Sequence, residues 1–251
     1  LQKAGYTVNS KLALGDNATL LSAIKSGAVD LYPEFTGTGL SLLGVTSSFN
    51  PTMDYNTVKT DYEQQFHITW LDQAPLNDGY ALCTSQAESQ KLGVTTLSQL
   101  ASKVPQLTLA TQSDGLPFFD NLKNTYGFSS SNFKSVTKVA YAIGFAAVKS
   151  GSAQVTECYT TDGSIATQGF IILTDDKHGF TEFHPAPIVR DSVLSADPGI
   201  AAALNPMAPL MTTDVNVMLQ EQVNMKHTAG ESIAQAVQEV ATTWLKSVNL
   251  L

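Results

Sequence analysis

The stretch that decides the fold is "DLYPEFTGTGL", Asp30 to Leu40. Two aromatic residues, Tyr32 and Phe35, flank Pro33 and Glu34, and a run of small residues, Thr36 to Gly39, follows at once. Just upstream, "DNATLLSAIKSGAV" offers Asp16 or Asn17 as a helix N-cap, an apolar stripe at Leu20, Leu21 and Ile24, and Gly27 as a stop. A short strand ending near Leu31 is expected after that glycine. The ring-bearing motif then stands just past the carboxyl end of a strand, the place where open α/β sheets bind ligands. Its small run lets the backbone come close to a bound molecule.

Outward from this point strand-like and helix-like segments alternate, which predicts an α/β architecture with largely parallel sheets. Upstream, "YTVNSKLAL" (Tyr6 to Leu14) alternates like a strand. Downstream, the helix "TMDYNTVKTDYEQQF" leads to strands near "HITWL" and "GYALCTS", and a short helix, "TTLSQLASKV", is capped at Thr95 or Thr96. The strand "LTLAT" runs into the loop and helix of "QSDGLPFFDNLKNTYG". Three more strands follow, "SVTKVAY", "AQVTECY" and "GFIILT", with the helix "AIGFAAVKSG" between the first two; beyond Arg190 the chain reads as helical. The succession helix, Lys-Ser-Gly, strand occurs twice and delivers Tyr32 and Tyr159 to strand ends. It reads either as two related βαβ units or as a common helix stop met twice.

Composition removes several function classes. The 251 residues are 43% hydrophobic, enough to bury the core of one large domain or two lobes. The charged fraction is 14%, the net charge −8, and Arg190 is the single arginine, so no nucleic-acid partner is expected: phosphate contacts need clustered Lys and Arg. No apolar run is long enough to span a bilayer. There is no nucleophile elbow, no phosphate-cradling glycine loop and no His-Glu-x-x-His, so neither a catalytic residue nor a cofactor is expected. His67, His178, His184 and His227 are scattered and suggest no metal site. Cys83 and Cys158 lack metal-type spacing and are either one disulfide or two buried thiols.

The aromatic residues carry more information. Phe35, Tyr80, Tyr159 and Phe183 all fall at segment ends beside small, turn-forming residues. Each ring alone reads as core. Several rings converging on one cavity suit a quaternary ammonium group, which has no N–H to donate and is held through its diffuse charge on ring faces.

The segments "SGAVDLYPEFTGTGL", "WLDQAPLNDGYAL", "LTLAT" with "DGLP", "YTTDGSI" and "PAPIVR", in this order, resemble the marker segments of the glycine betaine/choline-binding proteins of osmoprotectant ABC importers. The resemblance spans essentially the whole chain. It implies a two-lobed type II periplasmic-binding-protein fold, each lobe a mostly parallel sheet flanked by helices, with two crossover strands as hinge. Residues 1–82 and 186–251 would form lobe one and residues 83–185 lobe two. It also implies an aromatic box of Phe35, Tyr80, Tyr159 and Phe183 around the ligand's trimethylammonium group. Thr38 would hydrogen-bond the ligand's polar end, Asp78 would stand in the pocket wall, and Thr161 and Asp162 would join them from the "YTTDG" segment. The implied protein is a non-enzymatic, monomeric, extracytoplasmic receptor, free in a periplasm or anchored at the cell surface, that hands a small quaternary amine to an ABC permease.

Three departures from the family pattern bear on these expectations. Phe35 and Phe183 replace tyrosines, which keeps the π faces and removes two hydroxyls. The loop in "TQSDGLP" is short and has no arginine, which favours choline over a ligand with a carboxylate. The family's first strand and first helix have no counterpart before "LQKAGYTV"; since lobe one would otherwise lack a central strand, a truncated chain or missing residues are expected there rather than a lobe completed differently. Under the implied fold Cys83 and Cys158 fall on neighbouring strands of lobe two, which favours the disulfide. Alternatives remain: another betaine-like ligand such as carnitine or ergothioneine in the same cage, the effector-binding domain of a regulator, or an enzyme built on Asp162 and Glu34.

Overall fold

The computed structural model describes residues 1–12, 14–113 and 115–251. Among the described residues lie eight strands: β1 (Leu31–Phe35), β2 (Ile68–Trp70), β3 (Tyr80–Ser85), β4 (Thr108–Thr111), β5 (Ser135–Lys138), β6 (Val155–Tyr159), β7 (Phe170–Ile172) and β8 (Pro185–Arg190). They divide between two compact units, residues 1–77 with 182–251, and residues 78–181. The mixed α/β class expected from the alternation holds.

In the first unit the sheet order is β1-β8-β2, and β8 is antiparallel to both neighbours. The expected parallel pairing is absent among the described strands here. Its reason is directional: β8 enters where β1 ends, with Phe35 opposite Pro185, and so runs back along it. A second correction concerns the opening motif. "LYPEF" is not a turn past a strand but the strand itself, and the small run after it forms the helix Thr36–Leu43. Pro33 has no N–H to give, and β1, at the sheet edge, tolerates it. The strand and its helices close over Ile24, Leu40, Val58, Tyr62, Ile68, Trp70 and Ile188, all buried. The helix Asn17–Ser26 starts and stops as read, with Asp16 accepting from the Thr19 N–H at 2.9 Å and Gly27 in the left-handed conformation.

The segment Tyr6 to Leu14 is not a strand among its described residues; Ala13 lies outside them. Alternation predicts a strand only where a neighbouring edge can complete the ladder, and no described strand pairs with this one. Leu12 is 86% exposed, and Tyr6 is tied by its hydroxyl to Asp197 Oδ1 at 2.8 Å.

The second unit has the order β5-β4-β6-β3-β7. β4 is parallel to β5 and β6, while β3 is antiparallel to β6 and β7. Alternate residues of β3 serve opposite faces: Leu82 packs with Leu109, Phe119, Leu122 and Val155, whereas Ala81 and Cys83 pack with Phe145, Cys158 and Phe170. Of the two states left open for the cysteines, the disulfide is the one formed. Cys83 and Cys158 join β3 to β6, with Cα atoms 5.8 Å apart. The carboxyl-terminal part of the chain is helical as expected, ending in the helices Thr213–Thr228 and Ile233–Ser247.

A cross-link between residues this far apart restricts the unfolded chain strongly. Replacing both cysteines (Cys83→Ala with Cys158→Ala) should therefore lower unfolding stability by about 2–4 kcal/mol in denaturant titrations. Reduction of the native protein should shift the transition in the same direction.

Candidate functional site

In the second unit the site is built on the β3–β6 ladder. Tyr80 and Tyr159 are directly opposed in the register, and their ring centroids lie 5.0 Å apart at 49°. The ladder continues past the strands: the Gly79 N–H donates to Thr160 Oγ1 and the Thr160 N–H to the Gly79 carbonyl, both at 3.0 Å. One residue further, the Thr161 hydroxyl donates to Asp78 Oδ1. This pins the approach to β3 against the exit from β6.

Two further rings join this pair. Phe118, in the first turn of the helix Leu116–Tyr126, stacks on Tyr80 at 4.0 Å and 17°. Tyr141, which opens the helix Tyr141–Lys149, lies 5.4 Å from Tyr159. The Tyr141 hydroxyl donates to Asp162 Oδ2 at 2.7 Å and accepts from the Tyr159 N–H at 3.3 Å. Burial, then the hydrogen bond to Asp162 and its charge, push the Tyr141 pKa far up, so the hydroxyl stays protonated and keeps donating. Asp162 Oδ1 also accepts from the Ser164 N–H at 2.8 Å. Beneath the same end of the sheet Glu157, almost fully buried, accepts from Thr111 Oγ1 at 2.6 Å and from the Gln112 N–H at 2.8 Å. Gly115 must be glycine for this packing, because a Cβ there would come within 2.5 Å of Glu157 Oε2. Asp114 of the "DGLP" segment lies outside the described residues.

The first unit carries a second group. Glu34 is buried beneath Phe35; its Oε1 accepts from the Phe35 N–H at 2.7 Å and its Oε2 from the Tyr32 hydroxyl at 3.1 Å. Burial raises the Glu34 pKa against the opposing pull of those two bonds. Tyr32 therefore serves the packing under the motif. The Thr36 N–H donates to the His184 carbonyl and the His184 N–H to Thr36 Oγ1, both at 3.0 Å. This exchange sets Phe183 over the start of the helix. A Cβ on Gly37 would come within 2.6 Å of the Phe183 ring, so the small run lets a ring, here the protein's own, approach the backbone. Thr38 is half-buried in the same turn and makes no side-chain hydrogen bond to another described residue.

His184 is buried, and both its ring nitrogens meet acceptors: the Leu76 carbonyl lies 2.8 Å from Nδ1 and Glu182 Oε2 lies 2.7 Å from Nε2. Both nitrogens must carry protons to satisfy this arrangement, which makes the side chain an imidazolium. Burial alone would lower its pKa, but the hydrogen bond and charge of Glu182, with the carbonyls of Leu76 and Ala74, raise it above 6.5.

Tyr80, Tyr159, Asp78, Thr161 and Asp162 thus come together in the second unit, and Phe35, Thr38 and Phe183 in the first. Phe118, Tyr141, Thr36 and Glu157 escaped the reading of the sequence. Phe118 and Tyr141 do stand at segment starts like the other rings, which was the available signal.

The family described as the substrate binding domain of ABC-type glycine betaine transport systems matches residues 1–247. A glycine betaine-binding protein of Escherichia coli (strain K12), YehZ, is 28% identical over 223 residues, which cover 82% of this chain and 72% of that protein. A carnitine transport binding protein of Listeria monocytogenes, OpuCC, is 24% identical over 231 residues, covering 88% and 73%. The solved structure of apo YehZ superposes with a TM-score of 0.77 at 24% identity, over 100% of this chain and 91% of that one, and so shares the two-lobed fold.

Two outcomes follow from the first unit's geometry. Gly37→Ala should displace the Phe183 ring and weaken solute binding at least severalfold in calorimetric titration, with a smaller effect on the unfolding midpoint. A native His184 pKa above the unfolded value gives stabilisation that is complete below about pH 6.5 and is lost as pH rises through the native value. Denaturant midpoints should therefore fall on passing from about pH 6 to about pH 9, and His184→Gln should flatten that dependence.

Proposed function

The chain belongs to the substrate-binding domains of ABC-type glycine betaine transport systems, and on that footing we propose that it is the receptor for a quaternary ammonium solute of the betaine or choline type. The family is one of binding domains, not enzymes, and the receptor's task ends in delivery of the solute to an ABC permease. The observation that carries the ligand class is the ring group Tyr80, Phe118, Tyr159 and Tyr141 at one end of the β3–β6 ladder, with Asp78 and Asp162 beside it. Within the first unit Phe35, Phe183 and Thr38 offer two rings and a hydroxyl of the same kind.

A trimethylammonium group cannot donate a hydrogen bond, so ring faces and nearby negative charge are the means of holding it. At about 0.5–2 kcal/mol per ring, three or four rings supply a large part of the ~8 kcal/mol that micromolar affinity requires. Apolar burial of the methyl groups supplies the rest. Thr161 is already engaged with Asp78, so its part is to fix that carboxylate.

We place the receptor outside the cytoplasm, in a periplasm or anchored at the cell surface, as a monomer without nucleic-acid partners. The Cys83–Cys158 disulfide suits an oxidising compartment. The net charge of −8 disfavours a phosphate-backbone surface. Among the described residues no helix is long and apolar enough to cross a membrane.

Titration calorimetry with choline, glycine betaine and carnitine tests the reading. Micromolar binding of at least one is expected, and Tyr159→Ala should abolish it while the apo melting temperature stays nearly unchanged; Phe118→Ala should weaken it severalfold. Failure of all three to bind at millimolar concentration would overturn the assignment.

A further inference from the structure

His184 stands where the chain leaves and re-enters the first unit. Asn77 is the last residue before the second unit, and Glu182 is the first after it. Hydrogen bonds of 2.8 Å join the two segments: the Phe183 N–H donates to Asn77 Oδ1, His184 Nδ1 to the Leu76 carbonyl, and the Ala74 N–H to the Pro185 carbonyl. The Leu76 and Asn77 N–H groups are held in turn by the Met211 carbonyl and Thr213 Oγ1, both at 3.0 Å. Of these links, the one through His184 depends on a proton.

Both its ring nitrogens face acceptors, and only the doubly protonated ring satisfies both. The neutral ring has one N–H. If Nε2 keeps it, the Nδ1 lone pair faces the Leu76 carbonyl; if Nδ1 keeps it, the Nε2 lone pair faces the Glu182 carboxylate at 2.7 Å. Either tautomer sets two acceptors against each other in a buried place, so loss of the proton drives the ring out of its position. The displacement reaches the rings of this unit through the backbone. His184 exchanges two hydrogen bonds with Thr36, and its neighbour Phe183 lies over Gly37, next in sequence to Thr38.

Among the described residues Glu182 is the charged group that acts on the ring, against the pull of burial. The helix Thr36–Leu43 and residues 74–77 contain no ionisable side chain. β1 brings Glu34, whose oxygens take the Phe35 N–H and the Tyr32 hydroxyl; β8 brings Arg190, bound at its far end to Asp30; the helix Thr213–Thr228 brings Asp214 in its first turn. The other histidines stand elsewhere: His67 ends the helix Pro51–Phe66, His178 belongs to the second unit, and His227 lies in the last turn of Thr213–Thr228.

We propose that His184 is a positioning residue for solute binding, and that the receptor takes its solute in the form in which this imidazole is protonated, so that binding is linked to a proton. The proposal rests on the receptor function above and adds a dependence on pH that the solute cannot supply. A quaternary nitrogen has no proton to lose, and the carboxylate of a betaine is ionised throughout the neutral range.

The test is calorimetric titration of the full chain with choline, glycine betaine and carnitine from about pH 6 to about pH 9, in buffers of different ionisation enthalpy. Affinity should be complete below the native His184 value and fall at least about fivefold as pH rises through it, with up to one proton taken up per solute bound. By linkage, the titration midpoint of the ring, followed by NMR, should be higher in the solute-saturated protein than in the free protein by the logarithm of that ratio. Constant affinity, no proton uptake and equal midpoints would overturn the proposal and leave the receptor function standing. Binding of none of the three solutes at any pH would remove the receptor function, and the proposal with it. His184→Gln, which cannot titrate, should abolish both the pH dependence and the proton uptake, at an affinity near the alkaline value of the unmodified protein; persistence of the dependence would overturn the proposal. Glu182→Gln keeps an acceptor for Nε2 but removes the charge, so the fall in affinity should move to lower pH by about one pH unit. An unmoved fall would assign the dependence to another group and count against the proposal.

Discussion

The register of β3 against β6 is the constraint on which the rest of the second unit depends. Tyr80 faces Tyr159 because Leu82 faces Glu157 and Cys83 faces Thr156, and the Cys83–Cys158 disulfide crosses the same ladder. A slip of one residue would turn every side chain to the opposite face. The rings would then point where Ala81 and Cys158 now pack, and Glu157 would leave its buried place under Gly115. A covalent bond across two central strands therefore guards the geometry of the ring group as well as the stability of the sheet.

The site combines two physical means that are weak alone. Aromatic faces attract any cation, whatever the rest of its structure, and alkyl groups pack against them as they would against other rings. Carboxylates with uncharged donors add a field that recognises the sign of charge but little of its shape. In the receptor proposed, the two together would separate the trimethylammonium end of a solute from its other end. The first unit shows the complementary case, in which a charge is neutralised within the fold. His184 and Glu182 form a pair whose atoms are occupied by each other and by main-chain carbonyls, so this cation holds Phe183 and Thr36 in place.

How much of this was legible in the sequence depended on the range of the interactions. Segment ends were, because caps and stops are local: of the candidates read for two helices, Asp16 and Thr96 accept the helix N–H groups that their positions suggest. The Tyr80–Tyr159 pair was legible because each ring lies at a boundary, and family resemblance grouped them. "LYPEF" was misread, since Pro33 and the glycines after it argue for a turn when taken alone, and only pairing with β8 makes the segment a strand. Tyr6 to Leu14 failed in the opposite sense, an alternating segment without a neighbouring edge. Phe118 and Tyr141 reach the site through the order β4-β6-β3, and the state of His184 through Leu76 and Glu182, and neither arrangement leaves a mark in local sequence.

The central claim is that ring faces hold the head group by its charge. Its most direct measurement compares choline with 3,3-dimethylbutanol, the uncharged isostere in which carbon replaces nitrogen, by competition titration on the same protein. With three or four rings engaged, the isostere should bind at least about thirtyfold more weakly, because the methyl packing survives and the cation–π attraction does not. Equal affinity for the two would show an apolar pocket that merely happens to be aromatic, and would contradict the account.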